Sequence, residues 1–246
     1  ETCGICVSDG GKDLDPGAES GKERGLSEFS FDYWFPGDGF GCELTTLVGR
    51  ERKTGCSMAT AVPTKGSTRK FVVDKVLEFM EEVGDGATSI VIMKTDQEPA
   101  IKCLIEDIVA AREEGRTVTE ESPVQSSGSN GVVERAVQTI EGRTRAILLA
   151  LEGRIGAEIS PTEPPVAQFI PEFAAYVNDR LEVGKDGMTA SERIKGKRGV
   201  IPGLEFGEKL LWKILKGKKM AKMKQRWAYG IFLGVSRKSG EIWTAA

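Results

Sequence analysis

Residues 90–93 read Ile-Val-Ile-Met, four apolar side chains in a row without polar alternation. A strand of that kind is buried on both faces. A chain carrying it must therefore fold as a sheet with cover on either side. The neighbouring segments supply the cover. RKFVVDKVLEFMEEVG (69–84) repeats Val72, Val73, Val76, Leu77 and Met80 at intervals of three and four, which predicts an amphipathic helix stopped by Gly84. PAIKCLIEDIVAAREE (99–114) predicts a second.

The other elements fit the same plan. FSFDYWF (29–35) is a short aromatic strand. ELTTLVGR (43–50) and CSMATAV (56–62) form a hairpin about ERKTG, and RTVTEE (116–121) is a brief strand. The Ser/Gly-rich stretch SPVQSSGSNG (122–131) predicts a loop, with Asn130 as N-cap of a helix over 132–152. That helix presents Val133, Val137, Ile140, Thr144, Ile147, Leu148 and Leu151 on one side. A further helix spans 167–181, kinked or delayed by Pro171. From about residue 200 the pattern turns short and β-like (EFGEKLLWKIL, WAYGIFLGVS, GEIWTA), as in a small barrel. The fold class predicted is α/β: a mixed sheet flanked by helices, followed by a small C-terminal β-barrel-like domain.

Three segments follow: a Gly- and charge-rich linker over 1–27, a core over 28–192 and a basic unit over 193–246. The last contains 14 Lys/Arg against 3 Asp/Glu, a net +11, while the rest of the chain carries 20 against 34, a net −14. A basic tail with interleaved Trp212, Trp227 and Tyr229 points to a polyanionic partner. No apolar run reaches the roughly 18 residues of a membrane span. The sequence opens ETCGIC, without an initiator Met or a signal peptide, as a piece of a longer polyprotein would. An odd count of 5 cysteines fits a reducing, intracellular compartment. Cys42, Cys56 and Cys103 read as buried apolar fillers.

The chain has no histidine. Ser-His-Asp triads, Cys-His pairs and His-based zinc sites are thereby excluded. Catalysis must rest on other groups, and carboxylates holding a hard cation such as Mg²⁺ are the natural choice. Three stand out: Asp32 among the aromatics of the first strand, Asp96 at the end of SIVIMKTD, and Glu134 near the start of the helix after the Ser/Gly loop. Bringing three like charges together is costly, and a divalent cation removes that cost.

DYWF with Asp32, TDQEP with Asp96 and SPVQSSGSNGVVERA with Glu134 resemble the D, D, E catalytic core of retroviral and retrotransposon integrases. Between Asp96 and Glu134 lie 37 residues. NGVVER and the W-x-YGIFLGVS…SGEIW block look most like copia-type elements, in which a small β-barrel follows the core. The resemblance covers residues 28–246. It implies a ribonuclease-H-like fold and a polynucleotidyl transferase with endonuclease activity that processes and joins DNA 3′ ends. Asp32, Asp96 and Glu134 would hold two Mg²⁺ or Mn²⁺ ions. DNA contacts would come from Asn130, Arg135 and Gln138 beside the site, and from Lys216, Lys218, Lys219, Lys222, Lys224 and Arg226 in the tail. The family places basic residues one and two turns after the Glu, where this chain has Gln138 and Glu141. Cys3 and Cys6 look like the second half of an upstream zinc module, so Zn²⁺ would bind only in a longer polyprotein. Homo-oligomers and action in the nucleus at the integration step are further implications. The alternatives are a catalytically weak nucleic-acid-binding remnant of the same fold and a nuclease acting on RNA in hybrids.

Overall fold

The structure, a computed structural model, describes residues 25–35, 45–62, 65, 70–95, 98–112, 116–121, 127–159, 165–214 and 225–245. Strands β1 (Ser27–Trp34), β2 (Thr45–Glu51), β3 (Ser57–Val62), β4 (Val91–Thr95) and β5 (Thr117–Glu121) form a sheet of order β3-β2-β1-β4-β5. The first three strands run antiparallel, whereas β4 joins β1 and β5 joins β4 in parallel. Helices α1 (Lys70–Val83), α2 (Pro99–Ala111), α3 (Ser127–Ile155), α4 (Ile170–Leu181) and α5 (Ala190–Lys195) complete this part. A mixed five-stranded sheet of this order, with helices on both faces, is the ribonuclease-H-like arrangement expected. A second sheet holds β6 (Lys209–Lys213), β7 (Trp227–Val235) and β8 (Ile242–Ala245), all antiparallel.

The alternation of β1 sorts its side chains. Phe29, Phe31 and Tyr33 turn to one face and pack with Leu47 and Met58 against Val76, Phe79 and Met80 of α1 and Leu104 and Ile108 of α2. On the other face Val48 and Ala59 meet Ala136 and Ile140 of α3 and Ala174 and Ala175 of α4. Four alanines in that layer let both helices lie close to the strands. Gly49 serves a similar purpose within the sheet. A Cβ there would stand 2.7 Å from the Phe31 ring and 2.9 Å from Met58, so only glycine leaves room for both.

The tight β2–β3 turn is organised by the buried Glu51 carboxylate, which accepts hydrogen bonds from the backbone N–H groups of Lys53 (2.8 Å) and Thr54 (2.7 Å). The hairpin about ERKTG is therefore as expected. Several other expectations change. β4 is an interior strand between β1 and β5 with Val91, Ile92 and Met93 buried, as expected, but Ile90 is exposed and precedes it. α3 begins at Ser127, five residues before the helix predicted at 132. Asn130 is thus inside the helical backbone rather than at its N-cap. Pro171 occupies the first turn of α4, where its missing N–H costs nothing, and a 3-10 turn over Pro165–Phe169 precedes it. α5 was not anticipated, although Thr189 and Glu192 form a reciprocal capping box at its start.

A third apolar cluster joins the two sheets. Leu151 at the far end of α3 and Ile170, Phe173 and Tyr176 of α4 pack against Phe206, Phe232, Leu233 and Val235. The Phe173 ring lies 5.4 Å edge-on to Phe232 and 5.7 Å from Phe206. Beside this cluster sits a buried charged group. Arg237, following β7, donates from Nη1 to Asp179 Oδ2 (2.8 Å) and Glu82 Oε2 (3.2 Å). Asp179 also accepts from Ser57 N–H (3.0 Å) and from the Cys56 thiol (3.2 Å). Asp179 is 2% exposed. α1, α4, the β3 start and the second sheet thus converge on one ion-pair network.

The cysteines depart from expectation in part. Cys56 is buried in the first apolar cluster as expected, with Asp179 and Arg237 beside its sulfur as well, whereas Cys103 is exposed. Cys42, Cys3 and Cys6 lie outside the described residues. Burial, and then the neighbouring Asp179 carboxylate, push the Cys56 thiol well above its ordinary range. Only the thiolate is reactive. Native iodoacetamide treatment followed by peptide mass mapping should therefore modify Cys103 and spare Cys56 until denaturant is added. Modification of Cys56 at a rate matching Cys103 would contradict this burial.

Candidate active site

β1 carries Asp32 with its side chain opposite in sense to Phe31 and Tyr33. In register, Asp32 stands across from Val48, so the two share a face. Val48 is the residue that packs under Ala136 and Ile140 of α3. Asp32 consequently lies on the side of the sheet that α3 covers. It is half-buried, and the Tyr33 N–H donates to its Oδ1 at 2.7 Å.

Glu134 is on α3, two residues before Ala136 and directly after Val133. Val133 is 3% exposed and anchors the helix to the sheet, while Glu134 itself is exposed. Because α3 starts at Ser127, Glu134 sits two turns inside the helix and not in its first turn. The helix-dipole stabilisation expected for a first-turn carboxylate fades over that distance.

Asp96 lies outside the described residues, directly after Thr95, the last residue of β4. The β1–β4 register pairs Ser27 with Val91 and Ser30 with Lys94. Among the described residues no group of three or more His, Cys, Asp or Glu is placed to hold a metal ion. That set does not include Asp96.

The DNA-contact residues divide. Arg135 and Gln138 are exposed on α3. Asn130 is in the helix, and its side chain is outside the described set. Glu141 is tied to Arg145 by a 2.9 Å ion pair one turn on. Arg143 turns to the protein, donating to Asn178 Oδ1 at 2.6 Å, with Glu182 at 3.7 Å. Arg226 is exposed at the start of β7, its carbonyl accepting from Ile214 N–H (2.9 Å). Lys216, Lys218, Lys219, Lys222 and Lys224 lie outside the described residues.

One group near the ends of these strands was not singled out from the sequence. Lys65 pairs with Glu98 at 2.5 Å and stands 4.6 Å from the centroid of the Phe35 ring. Glu98 caps α2 without a side-chain bond, and Phe35 directly follows β1. TDQEP shows Glu98 two residues from Asp96, but nothing in the sequence pairs it with Lys65. A separate cleft of about 200 Å³, lined by Thr60, Lys75, Phe79, Arg237 and Trp243 among others, contains neither Asp32 nor Glu134.

Solved structures similar to this chain include the catalytic core domain of BIV integrase, 16% identical with a TM-score of 0.46, covering 68% of this chain and 92% of that one. The HTLV-2 integrase catalytic core domain in complex with magnesium is similar in its trimeric form (16% identity, TM-score 0.46, 68% and 94% covered). It is also similar in its dimeric form (15%, 0.44, 66% and 92%). No family model and no curated protein sequence matches the chain. Among the described residues no helix is long and apolar enough to cross a membrane.

Proposed function

We propose that the chain is a metal-dependent polynucleotidyl transferase of the integrase type, with Asp32, Asp96 and Glu134 as its carboxylates. The observation that carries the reading is the strand register. Ser30 pairs with Lys94 in parallel β1 and β4. Asp32 stands two residues beyond Ser30, and Asp96 two residues beyond Lys94. A register that continued in step would set the two carboxylates side by side. α3 covers the same face, and Glu134 is on it between the buried Val133 and Ala136.

The donor set suits a hard cation, since all three groups offer carboxylate oxygens and none is sulfur or imidazole. Bound there, Mg²⁺ or Mn²⁺ would supply activation of the attacking oxygen and stabilisation of the leaving 3′ oxygen. The chain's own part is to bring carboxylates from separate elements to one place and to steady Asp32 through the Tyr33 N–H. No protein nucleophile is needed, which agrees with a chain that lacks histidine.

The reading brings further assignments with it. The substrate is DNA, namely the ends of a copia-type retroelement and a target duplex. The working form is a homo-oligomer, acting in the nucleus. Residues 28–192 form the catalytic core, 193–246 the basic unit, and 1–27 a linker whose Cys3 and Cys6 complete a Zn²⁺ site in a longer polyprotein. Asn130, Arg135, Gln138 and the tail lysines with Arg226 contact phosphates.

One observation favours the second reading, a weakly catalytic binding remnant. Along the exposed stripe of α3, Gln138 follows Glu134 and the one cation beyond, Arg145, is spent on Glu141. A strand-transfer assay with Mg²⁺ or Mn²⁺ separates the two. Product that depends on metal and vanishes in Asp96→Asn supports the transferase; salt-sensitive DNA binding without any product supports the remnant.

A further inference from the structure

Cross-strand neighbours in an antiparallel sheet share a face. The β6–β7 register pairs Lys213 with Trp227, Leu211 with Tyr229 and Lys209 with Ile231. Alternation therefore puts these residues on one side of the second sheet, with Ile231 at the end where that side meets the apolar cluster. Its other side holds Phe232 in the cluster against α4. Trp212 falls on that opposite side, packed over Gly230. The outward side is open. Tyr229 is 61% exposed, Trp227 50% and Leu211 53%, unusual values for large apolar groups placed together.

The charge on this face has one sign. Lys209 and Lys213 are exposed, and neither is ion-paired among the described residues. Lys209 Nζ stands 4.1 Å from the centroid of the Tyr229 ring, a cation–π contact on a side chain that keeps most of its surface exposed. Trp227 and Tyr229 are two residues apart on one strand, a spacing of about 7 Å. Two rings in a row, bordered by unpaired cations, form the arrangement that stacks successive bases while neutralising their phosphates. Bases in a duplex are already stacked on one another and offer no face to such rings.

We propose that this face binds single-stranded nucleic acid, with Trp227 and Tyr229 each stacking one unpaired base and Lys209 and Lys213 meeting the backbone. The site is separate from the carboxylates and does not depend on the catalytic reading.

The test uses the full chain and a fluorescein-labelled 20-nucleotide oligo-dT, with a blunt duplex of the same length as comparison. Anisotropy should report tighter binding of the single strand, together with quenching of tryptophan emission. Tyr229→Ala and Trp227→Ala should each weaken single-strand binding roughly 5- to 100-fold, the range of one lost base stack. Both should leave duplex binding within about 2-fold. Tyr229→Phe, which keeps the ring, should bind as the parent does. Lys209→Gln with Lys213→Gln should flatten the salt dependence. Equal affinity for duplex and single strand overturns the proposal. So does unchanged single-strand binding by both alanine variants, or a Tyr229→Phe loss as large as that of Tyr229→Ala. A shift of oligomeric state in place of a binding change would mark the face as a protein contact and overturn it equally. Asp32→Asn should leave this binding intact, so its failure and that of the catalytic reading are told apart.

Discussion

Asp32→Asn should abolish metal-dependent strand transfer while leaving the fold intact. The substitution keeps size and polarity at a half-buried position, and the asparagine carbonyl can still accept from the Tyr33 N–H that now donates to Oδ1 at 2.7 Å. What it removes is a negative charge on a strand whose next neighbours, Phe31 and Tyr33, are buried core. Metal stabilisation of such a transition state is worth several kcal/mol, and each 1.4 kcal/mol is a factor of about ten, so the loss should reach about 10³-fold or more. The assay compares parent and variant in Mg²⁺ and in Mn²⁺, with circular dichroism and melting temperature as controls. An Asp32→Asn chain that melts like the parent and still yields a tenth of the product would remove Asp32 from the site. It would leave the fold assignment untouched.

Arg237→Ala should be the most destabilising of the charge substitutions. Arg237 is the cation facing a carboxylate that is 2% exposed, and its Nη1 also reaches Glu82 at 3.2 Å. Removing one partner of a buried pair leaves an uncompensated charge and costs about 3–5 kcal/mol. In a chain of this size that corresponds to a fall of roughly 6–20 °C in melting temperature. The deficit should depend on pH. Burial already pushes the Asp179 carboxyl above its ordinary range, against the pull of Arg237. Without Arg237 the group binds its proton still more tightly when folded than when unfolded. Stability from that proton is present at low pH and is lost as pH rises through the folded-state value. Arg237→Ala should therefore lie nearer the parent at pH 4.5 than at pH 8. Adding Asp179→Asn should recover part of the loss at pH 8, because the amide oxygen still accepts from Ser57 N–H without a charge. Strict additivity of the two substitutions would show that they are not coupled.

Much of the first sheet was legible because its signals are local. The ERKTG turn, the 3-and-4 spacing of Val72, Val73, Val76 and Met80, and the run Val91–Met93 each specify an element without help from elsewhere. The order of the strands was less so. The run Ile90–Met93 marks an interior strand, which β4 is, but does not say that the aromatic strand stands in the middle of the five. The start of α3 was read five residues late, since Ser and Gly between 127 and 131 have low helix propensity and only the tertiary frame extends the helix through them. α5 left a readable trace in Thr189-Ala-Ser-Glu192, the capping-box spacing, but it is one short turn without apolar periodicity. The Arg237–Asp179–Cys56 group had no sequence signal at all. Its members are separated by 58 and 181 residues from Arg237, and only the docking of the second sheet joins them.

α3 also sets a length. Glu134 stands near one end, and Leu151, in the cluster beneath the second sheet, stands 17 residues further on, about 26 Å along a helix axis at 1.5 Å per residue. The helix is in effect a ruler between the carboxylate face and the sheet that bears Trp227 and Tyr229. Its graduations are also angular, because each residue turns the chain by about 100°. Lengthening or shortening it by a single residue would turn Glu134 by about 100° relative to Leu151 while leaving each sheet folded. In relatives, length changes between 134 and 151 close to whole numbers of turns, such as about seven or about eleven residues, would keep both ends in phase.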